Sequence, residues 1–389
     1  MAIMRSGLIW RWLISIFLAL IIVEGSAALI CWFMLTSSQA GRLLWKPDLE
    51  LAQSNWNTHS SAADEEIGGF VVSGAKHNSE FPDDAQSCGS AYGDSFVGGA
   101  GVANDEGWIE RLSHSLGCRV INYAVGGYGT DQAYLRFRQV LDDSPMVLLG
   151  IDPNSIMDIV NQYDGFLSPE LEPFSLKGRF VLKPFDHLRW LPRPRLDANG
   201  FIAMHRDPAY VLPHSYFLPD TRDGPITFRF PYTATLARVA LMPRLHDILL
   251  RRAEWSSLYH AEHPSGALQL MIAISEAFVE LANARGKRPL IVMLPVAGSF
   301  REQANHHEFE YAPLVAALRA KHIEVFDPGT AMIANLEGRS ACELFTHPHA
   351  GMAWLTSPLA CGGHYSSLGN TILAQLVGAE IRRLNFLRQ

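Results

Sequence analysis

Val120-Ile-Asn-Tyr-Ala-Val-Gly-Gly-Tyr-Gly-Thr-Asp-Gln-Ala-Tyr-Leu-Arg-Phe-Arg-Gln-Val-Leu141 is followed after a short polar link by Met146-Val-Leu-Leu-Gly-Ile151. The pair reads as strand, glycine turn, helix, strand. Val120–Val125 is a strand candidate and Asp131–Leu141 a helix. Met146–Ile151 is apolar without alternation, as a parallel strand covered on both faces must be. Just upstream, Trp108, Ile109, Leu112 and Leu116 recur at helical spacing within Glu106–Leu116, and Gly117 closes that helix. Downstream the alternation continues: helix Ala267–Ala284 ended by Gly286, strand Leu290–Leu294, helix Ala312–Ala320, strand Ile323–Phe326, helix Leu368–Leu384. Such a series predicts an α/β domain whose mostly parallel sheet is covered on both faces. Residues 162–266, rich in Pro, Arg and aromatics, break the alternation and read as an insertion.

Composition narrows the class. The 389 residues are 48% hydrophobic and 18% charged, too apolar for disorder and without the periodicity of a coiled coil or collagen. A formal net charge of −7 excludes a general nucleic-acid binder, which needs a basic face. Five Cys do not make a disulfide scaffold, though they leave room for one or two bridges.

Residues 1–11 form a short head with Arg5 and Arg11, and Trp12–Leu35 carries one charge, Glu24. That length suffices to cross a hydrocarbon core, and the flanking arginines place the head in the cytoplasm and the remaining chain outside. Trp12–Val23 followed by Gly25-Ser26-Ala27 also has the form of a cleaved signal peptide. Glu24 marks either a helix partner or a protonated acid tolerated in a single span. Residues 36–85 read as a polar stalk in which only Ile67–Val72 looks like a strand, and residues 86–389 as the α/β domain with its insertion at about 162–266. The expected location is a single-pass membrane protein with its α/β domain outside the cytoplasm.

Three segments fall where an open parallel sheet collects its active groups, beyond the carboxyl ends of strands. Gly93-Asp94-Ser95-Phe96 leads through Gly98, Gly99 and Gly101 into the Trp108 helix. Its Ser95 can offer a hydroxyl and a backbone N–H to one cleft; Asp94 and Ser95 can equally cap the next helix. Gly127 follows the next strand and Asn154 the one after it, in Gly150-Ile-Asp-Pro-Asn154. The N–H groups of Ser95 and Gly127 with the Asn154 amide are the donors an oxyanion needs. His364, in Gly363-His-Tyr-Ser-Ser-Leu-Gly369 before the last helix, can reach Ser95 as a general base.

This order of motifs resembles the SGNH hydrolases, also called the GDSL esterase/lipase family, over roughly residues 88–155 and 360–380. The resemblance implies a three-layer α/β/α, flavodoxin-like fold and ester hydrolysis or acyl transfer, often on glycan O-acyl groups. It implies Ser95 as nucleophile, Ser95, Gly127 and Asn154 as oxyanion donors, and His364 as base, with no cofactor. Tyr123–Gln132, Asn161–Tyr163 and 178–182 are similar to membrane-anchored members linked to bacterial surface polysaccharides, which implies a glycan substrate and polysaccharide-assembly proteins as partners. Where the family has Asp three residues before its histidine, this chain has Cys361, and Ser155 follows Asn154 in place of an acid. Asp327, at the end of strand Ile323–Phe326, is the candidate for the third catalytic acid; a helix-capping role is its alternative. The departure at Cys361 also admits a catalytically inactive fold that binds glycan or scaffolds an assembly.

In an oxidising compartment Cys88 with Cys118, and Cys342 with Cys361, become candidate disulfides. The first two open strands that a doubly wound sheet makes neighbours. His306-His307-Glu308 and His347-Pro-His349 lack metal-ligand spacing and read as surface histidines, so no metal is expected. Arg189-Trp190, Arg193 and Arg195 read as a proline-rich loop or a glycan groove, and Trp354 and Tyr365 as packing aromatics or sugar platforms.

Overall fold

Every residue of the continuous apolar run is buried because it is the middle strand of a five-stranded parallel sheet. The structure, a computed structural model, describes residues 2–35, 43–45, 67, 74–160, 179–182, 202–205, 216, 220–347 and 361–387. In chain order the elements that position the site are helix α1 (Ala2–Leu35), β1 (Ser87–Tyr92), α2 (Trp108–Leu116), β2 (Arg119–Asn122) and α3 (Thr130–Gln139). They continue with β3 (Met146–Ile151), α4 (Tyr232–Ala240), α5 (Ala267–Ala284), β4 (Arg288–Met293), α6 (Ala312–Ala320) and β5 (Val325–Phe326). Last come β6 (Phe345–His347), β7 (Gly362–Tyr365) and α7 (Ser367–Arg383).

The sheet order is β2-β1-β3-β4-β5, the doubly wound order whose switch point lies between β1 and β3. Ser90 pairs with Val147 and Tyr92 with Leu149, while Leu148 faces Leu290 and Ile291 faces Val325. Helices α2 and α7 pack together on one face; α3 and α6 pack with α5 on the other. Trp108, Phe137, Phe278 and Tyr311 are among the largest side chains wholly withdrawn from solvent. Apolar α5, long enough to span a bilayer, is instead a core helix through Met271, Ile274 and Phe278.

Strand β2 stops at Asn122, short of the expected Val125. The Asn122 side chain ends it, accepting the Ala124 N–H (3.1 Å) and donating to the Val97 carbonyl (3.3 Å). The expected stalk is also shorter than 36–85 at its far end. The Lys76 N–H bonds the Asn122 carbonyl at 2.8 Å, Asn78 is buried, and Asp83 pairs with Arg119 at 3.0 Å. Gly74 onward is therefore laid on the domain. The strand expected at Ile67–Val72 lies outside the described residues except for Ile67, which is buried in the core.

Within the insertion, Arg179–Leu182 and Ile202–His205 pair antiparallel, and its last part joins the main core through Trp255, Leu258 and Tyr259. The Tyr259 hydroxyl donates to the Pro153 carbonyl at 2.9 Å, directly beneath the Asn154 loop. Within α1, Trp10–Leu35 is a 26-residue stretch long and apolar enough to cross a membrane.

Both candidate disulfides are present, Cys88–Cys118 and Cys342–Cys361, and Cys31 is a buried free thiol. The first closes a loop of sequence separation 30. Removing it as Cys88→Ser/Cys118→Ser should cost about 3–4 kcal/mol by the loop-closure relation, read from urea unfolding. Thiol labelling of the denatured chain should count one reactive thiol before reduction and all five after it.

Candidate active site

Ser95 stands just past β1, at the switch point. Asp94 shapes the turn: its Oδ1 accepts the N–H of Phe96 at 2.8 Å and of Val97 at 3.4 Å, while the Ser95 carbonyl accepts from Ala100 N–H at 3.0 Å. Asp94 thus closes a local turn and does not cap the next helix, which begins after Gly107. It leaves the Ser95 hydroxyl and N–H unused by this turn.

His364 arrives on β7, which pairs antiparallel with β6 through Phe345 and Tyr365. Its Nε2 lies 2.8 Å from Ser95 Oγ, across 269 residues of sequence. With the serine hydroxyl donating to Nε2, the ring's own proton sits on Nδ1. Phe96 flanks the imidazole, ring centroids 4.9 Å apart. Burial lowers the His364 pKa, the charge of Asp94 opposes this, and His347 adds to the lowering, so the net shift is down. The ring is a neutral acceptor at pH 7.

The other expected donors sit at the same edge. Gly127 is in the left-handed region at φ +79°, with open space where a side chain would project. Gly126, which sequence reasoning passed over, lies closer: a Cβ there would be 3.7 Å from the Ser95 Cβ. Asn154 begins the single turn Ser155–Asp158 without capping it. Among the described residues, the Ser95 N–H, the Gly127 N–H and the Asn154 side-chain amide make no hydrogen bond. Beneath them, Asp152 is buried and hydrogen-bonded to Asp94, and burial followed by the Asp94 charge holds its carboxyl well above the usual range. It also accepts the Ser155 N–H at 2.9 Å. The hydrogen-bonded pair of acids therefore lies behind the serine turn.

Asp327 does not join this group. Its Oδ1 accepts the Tyr311 hydroxyl at 2.8 Å and the Gly329 N–H at 3.0 Å, and among the described residues it makes no hydrogen bond to His364. Lying just past the short edge strand β5 and before Pro328, it is held down by the turn it closes. Cys361 is in a disulfide and carries no charge. Among the described residues, no side chain bonds His364 Nδ1.

Asn370 is a supporting residue that the sequence reading missed. Buried at 1% exposure, it accepts the Trp108 N–H at 3.0 Å and donates to the carbonyls of Tyr365 and Ser366, both at 3.0 Å. Trp108 Nε1 in turn donates to the Phe96 carbonyl at 3.0 Å. The signal in sequence was the adjacent Gly369, where a Cβ would stand 2.4 Å from the Leu344 carbonyl oxygen. A chain forced that close leaves its next polar residue buried.

His306 rests on the Leu250 carbonyl at 3.2 Å, and among the described residues no group of three His, Cys, Asp or Glu could hold a metal ion. Residues 161–163, 178, 189–195, 349 and 354, singled out above, lie outside the described residues. Tyr365 packs inward, its hydroxyl donating to the Pro295 carbonyl at 2.9 Å.

The sheet order and the seats of Ser95, Gly127, Asn154 and His364 beyond its carboxyl edge define a doubly wound α/β fold with a serine–histidine pair at its switch point. No protein-family model and no curated protein matches the chain. Similar solved structures include a protein from Desulfitobacterium hafniense described as lipolytic and of the G-D-S-L family. It is 12% identical with a TM-score of 0.34, over 75% of this chain and 97% of its own. A second, from Bacteroides fragilis, is described as an acylhydrolase; it is 13% identical with a TM-score of 0.33, over 78% of this chain and 90% of its own. Overlaps this loose carry nothing about chemistry or substrate.

The site makes two checkable demands. His364 should titrate below the usual histidine value of 6.5 in an NMR titration, and Asp94→Asn should move it lower still, because the Asp94 charge favours the protonated ring. Asn370→Ala should destabilise the domain by about 2–3 kcal/mol in urea unfolding, since it strands the buried Trp108 N–H.

Proposed function

We propose that the chain is an SGNH-type serine ester hydrolase or O-acyltransferase acting on an O-acyl ester, with Ser95 as nucleophile and His364 as base. The observation that carries it is the 2.8 Å Oγ–Nε2 contact set among three unengaged donors at one sheet edge. In this reading His364 takes the Ser95 proton as Oγ attacks the acyl carbon. The oxyanion forms against the Ser95 N–H, the Gly127 N–H and the Asn154 amide. His364 then returns the proton to the departing alkoxide, leaving an acyl group on Ser95. Water, or a second hydroxyl in the transferase case, gives its proton to His364 and attacks that ester, freeing the serine. The charge of Asp94 favours the imidazolium and so supplies part of what a third acid gives a triad.

The substrate class is a glycan O-acyl ester outside the cytoplasm, presented to a domain held by α1. The motif likeness to surface-polysaccharide members supports the glycan, and Arg5 and Arg11 before the span support the orientation. Gly126 and Gly127 are exposed beside the half-buried Ser95, a surface site suited to a large acyl carrier. A disulfide-bonded Cys361 in the usual acid position favours a second reading, a glycan-binding or scaffolding fold without turnover.

Turnover of a chromogenic acetyl ester separates the two. Wild type should hydrolyse it and Ser95→Ala should not; equal rates would reject the enzyme reading. Asn154→Ala should lower kcat by about 10²–10³-fold if its amide meets the oxyanion. The acid limb of kcat/KM should lie below pH 6.5, because protonating His364 removes the base and its pKa is depressed. Asp327→Ala should leave kcat within about twofold while lowering stability by about 1 kcal/mol, as expected for loss of the acceptor that holds the Gly329 N–H.

A further inference from the structure

Glu24 is not alone in the apolar helix. Its carboxylate accepts the N–H groups of Tyr232 (2.7 Å) and Thr233 (3.4 Å) and the Thr233 hydroxyl, so it caps the N-terminus of α4. Seven residues on along each helix, Cys31 and Val239 are buried in one cluster with Leu43, Leu44, Ile226 and Met242. The two helices therefore run side by side in the same direction, and α4 covers α1 from Glu24 to about Cys31, roughly 10 Å of helix at 1.5 Å per residue.

On its uncovered side this part of α1 exposes Leu29 (65%), Trp32 (59%) and Phe33 (70%). A bilayer that covers these residues reaches α4 at the same height. The segment around α4 meets it with an apolar surface: Phe230 is 71% exposed, Leu241 79% and Leu249 69%. Its arginines are ion-paired, although Arg229 keeps a 63% exposed side chain. Arg229 and Arg238 pair with Asp220 at 3.7 and 2.8 Å, and Arg244 turns inward to Glu254. The N–H groups at the head of α4, which would be orphans in lipid, are those that Glu24 satisfies.

We infer that Phe230–Leu249 is a second membrane element, seated in the outer part of the bilayer against α1, with lipid as the partner of its exposed apolar residues. The inference rests on reading α1 as a membrane span. It explains why the only charge of Trp12–Leu35 is retained: Glu24 closes the start of a re-entrant helix.

The full chain, reconstituted in phosphatidylcholine–phosphatidylglycerol vesicles on a Cys31→Ala background, tests it by spin labelling. Labels go on Phe230→Cys, Leu241→Cys and Leu249→Cys, with Leu18→Cys in α1 and the exposed Leu141→Cys on the domain as references. The readout is collision with oxygen, which concentrates in lipid, against a water-soluble nickel chelate. Positions 230, 241 and 249 should give an oxygen-to-nickel ratio within about twofold of position 18 and well above position 141. A lipid-like value at 18 with water-like values at the three test positions would overturn the inference alone. Water-like values at 18 as well would overturn the membrane reading beneath it.

Discussion

One buried amide holds the two halves of the site in register. Ser95 and His364 come from opposite ends of the domain, and 2.8 Å between them leaves no tolerance for slack. The link runs from the Phe96 carbonyl to the Trp108 indole, from the Trp108 N–H to Asn370, and from Asn370 to the carbonyls that follow His364. Trp108, Asn370 and Tyr365 are buried, so the bonds among them are protected from exchange with water, and loss of any one leaves a polar group without a partner. The Cys342–Cys361 bridge and the Ser366 N–H to Leu344 carbonyl bond (2.8 Å) fasten the same hairpin from its other side.

Much of this was legible in the chain. Met146–Ile151 is hydrophobic at five of its six positions apart from Gly150, and a run without alternation has one stable home, the centre of a two-sided parallel sheet. Once that strand is fixed, doubly wound connectivity brings the segments after β1, β2 and β3 to one edge, so Ser95, Gly127 and Asn154 could be placed from position alone. Asp327 shows the limit of that logic. A residue at the end of a strand reaches the right edge, but its side chain goes to the nearest unsatisfied donors, here Tyr311 and Gly329. Asn370 was hidden for the opposite reason. Its partners, Trp108 and Tyr365, are assembled by packing of α2 on α7, which no local pattern encodes.

The electrostatics of the site follow from where its acids are buried. Burial, and then the charge of neighbouring Asp94, hold the Asp152 carboxyl well above the usual range. Asp94 sits behind the nucleophile, and its Oδ1 is already committed to the Phe96 and Val97 N–H groups. It therefore cannot orient His364 by a hydrogen bond as a triad acid does, yet its field still reaches the ring. Orientation falls instead to packing: Phe96 on one flank of the imidazole and β7 fastened to β6.

The same economy governs the attachment to α1. A carboxylate within an apolar helix is costly unless hydrogen-bonded, and the first N–H groups of a helix are costly unless capped. Bringing Glu24 to Tyr232 and Thr233 removes both penalties at once, which neither partner achieves alone. From α4 the chain returns through Arg244–Glu254 to Ala253, whose N–H donates to buried Glu302 at 2.7 Å, and so into the main core. The domain is thereby joined to its helix by packed side chains as well as by the linker after Leu35.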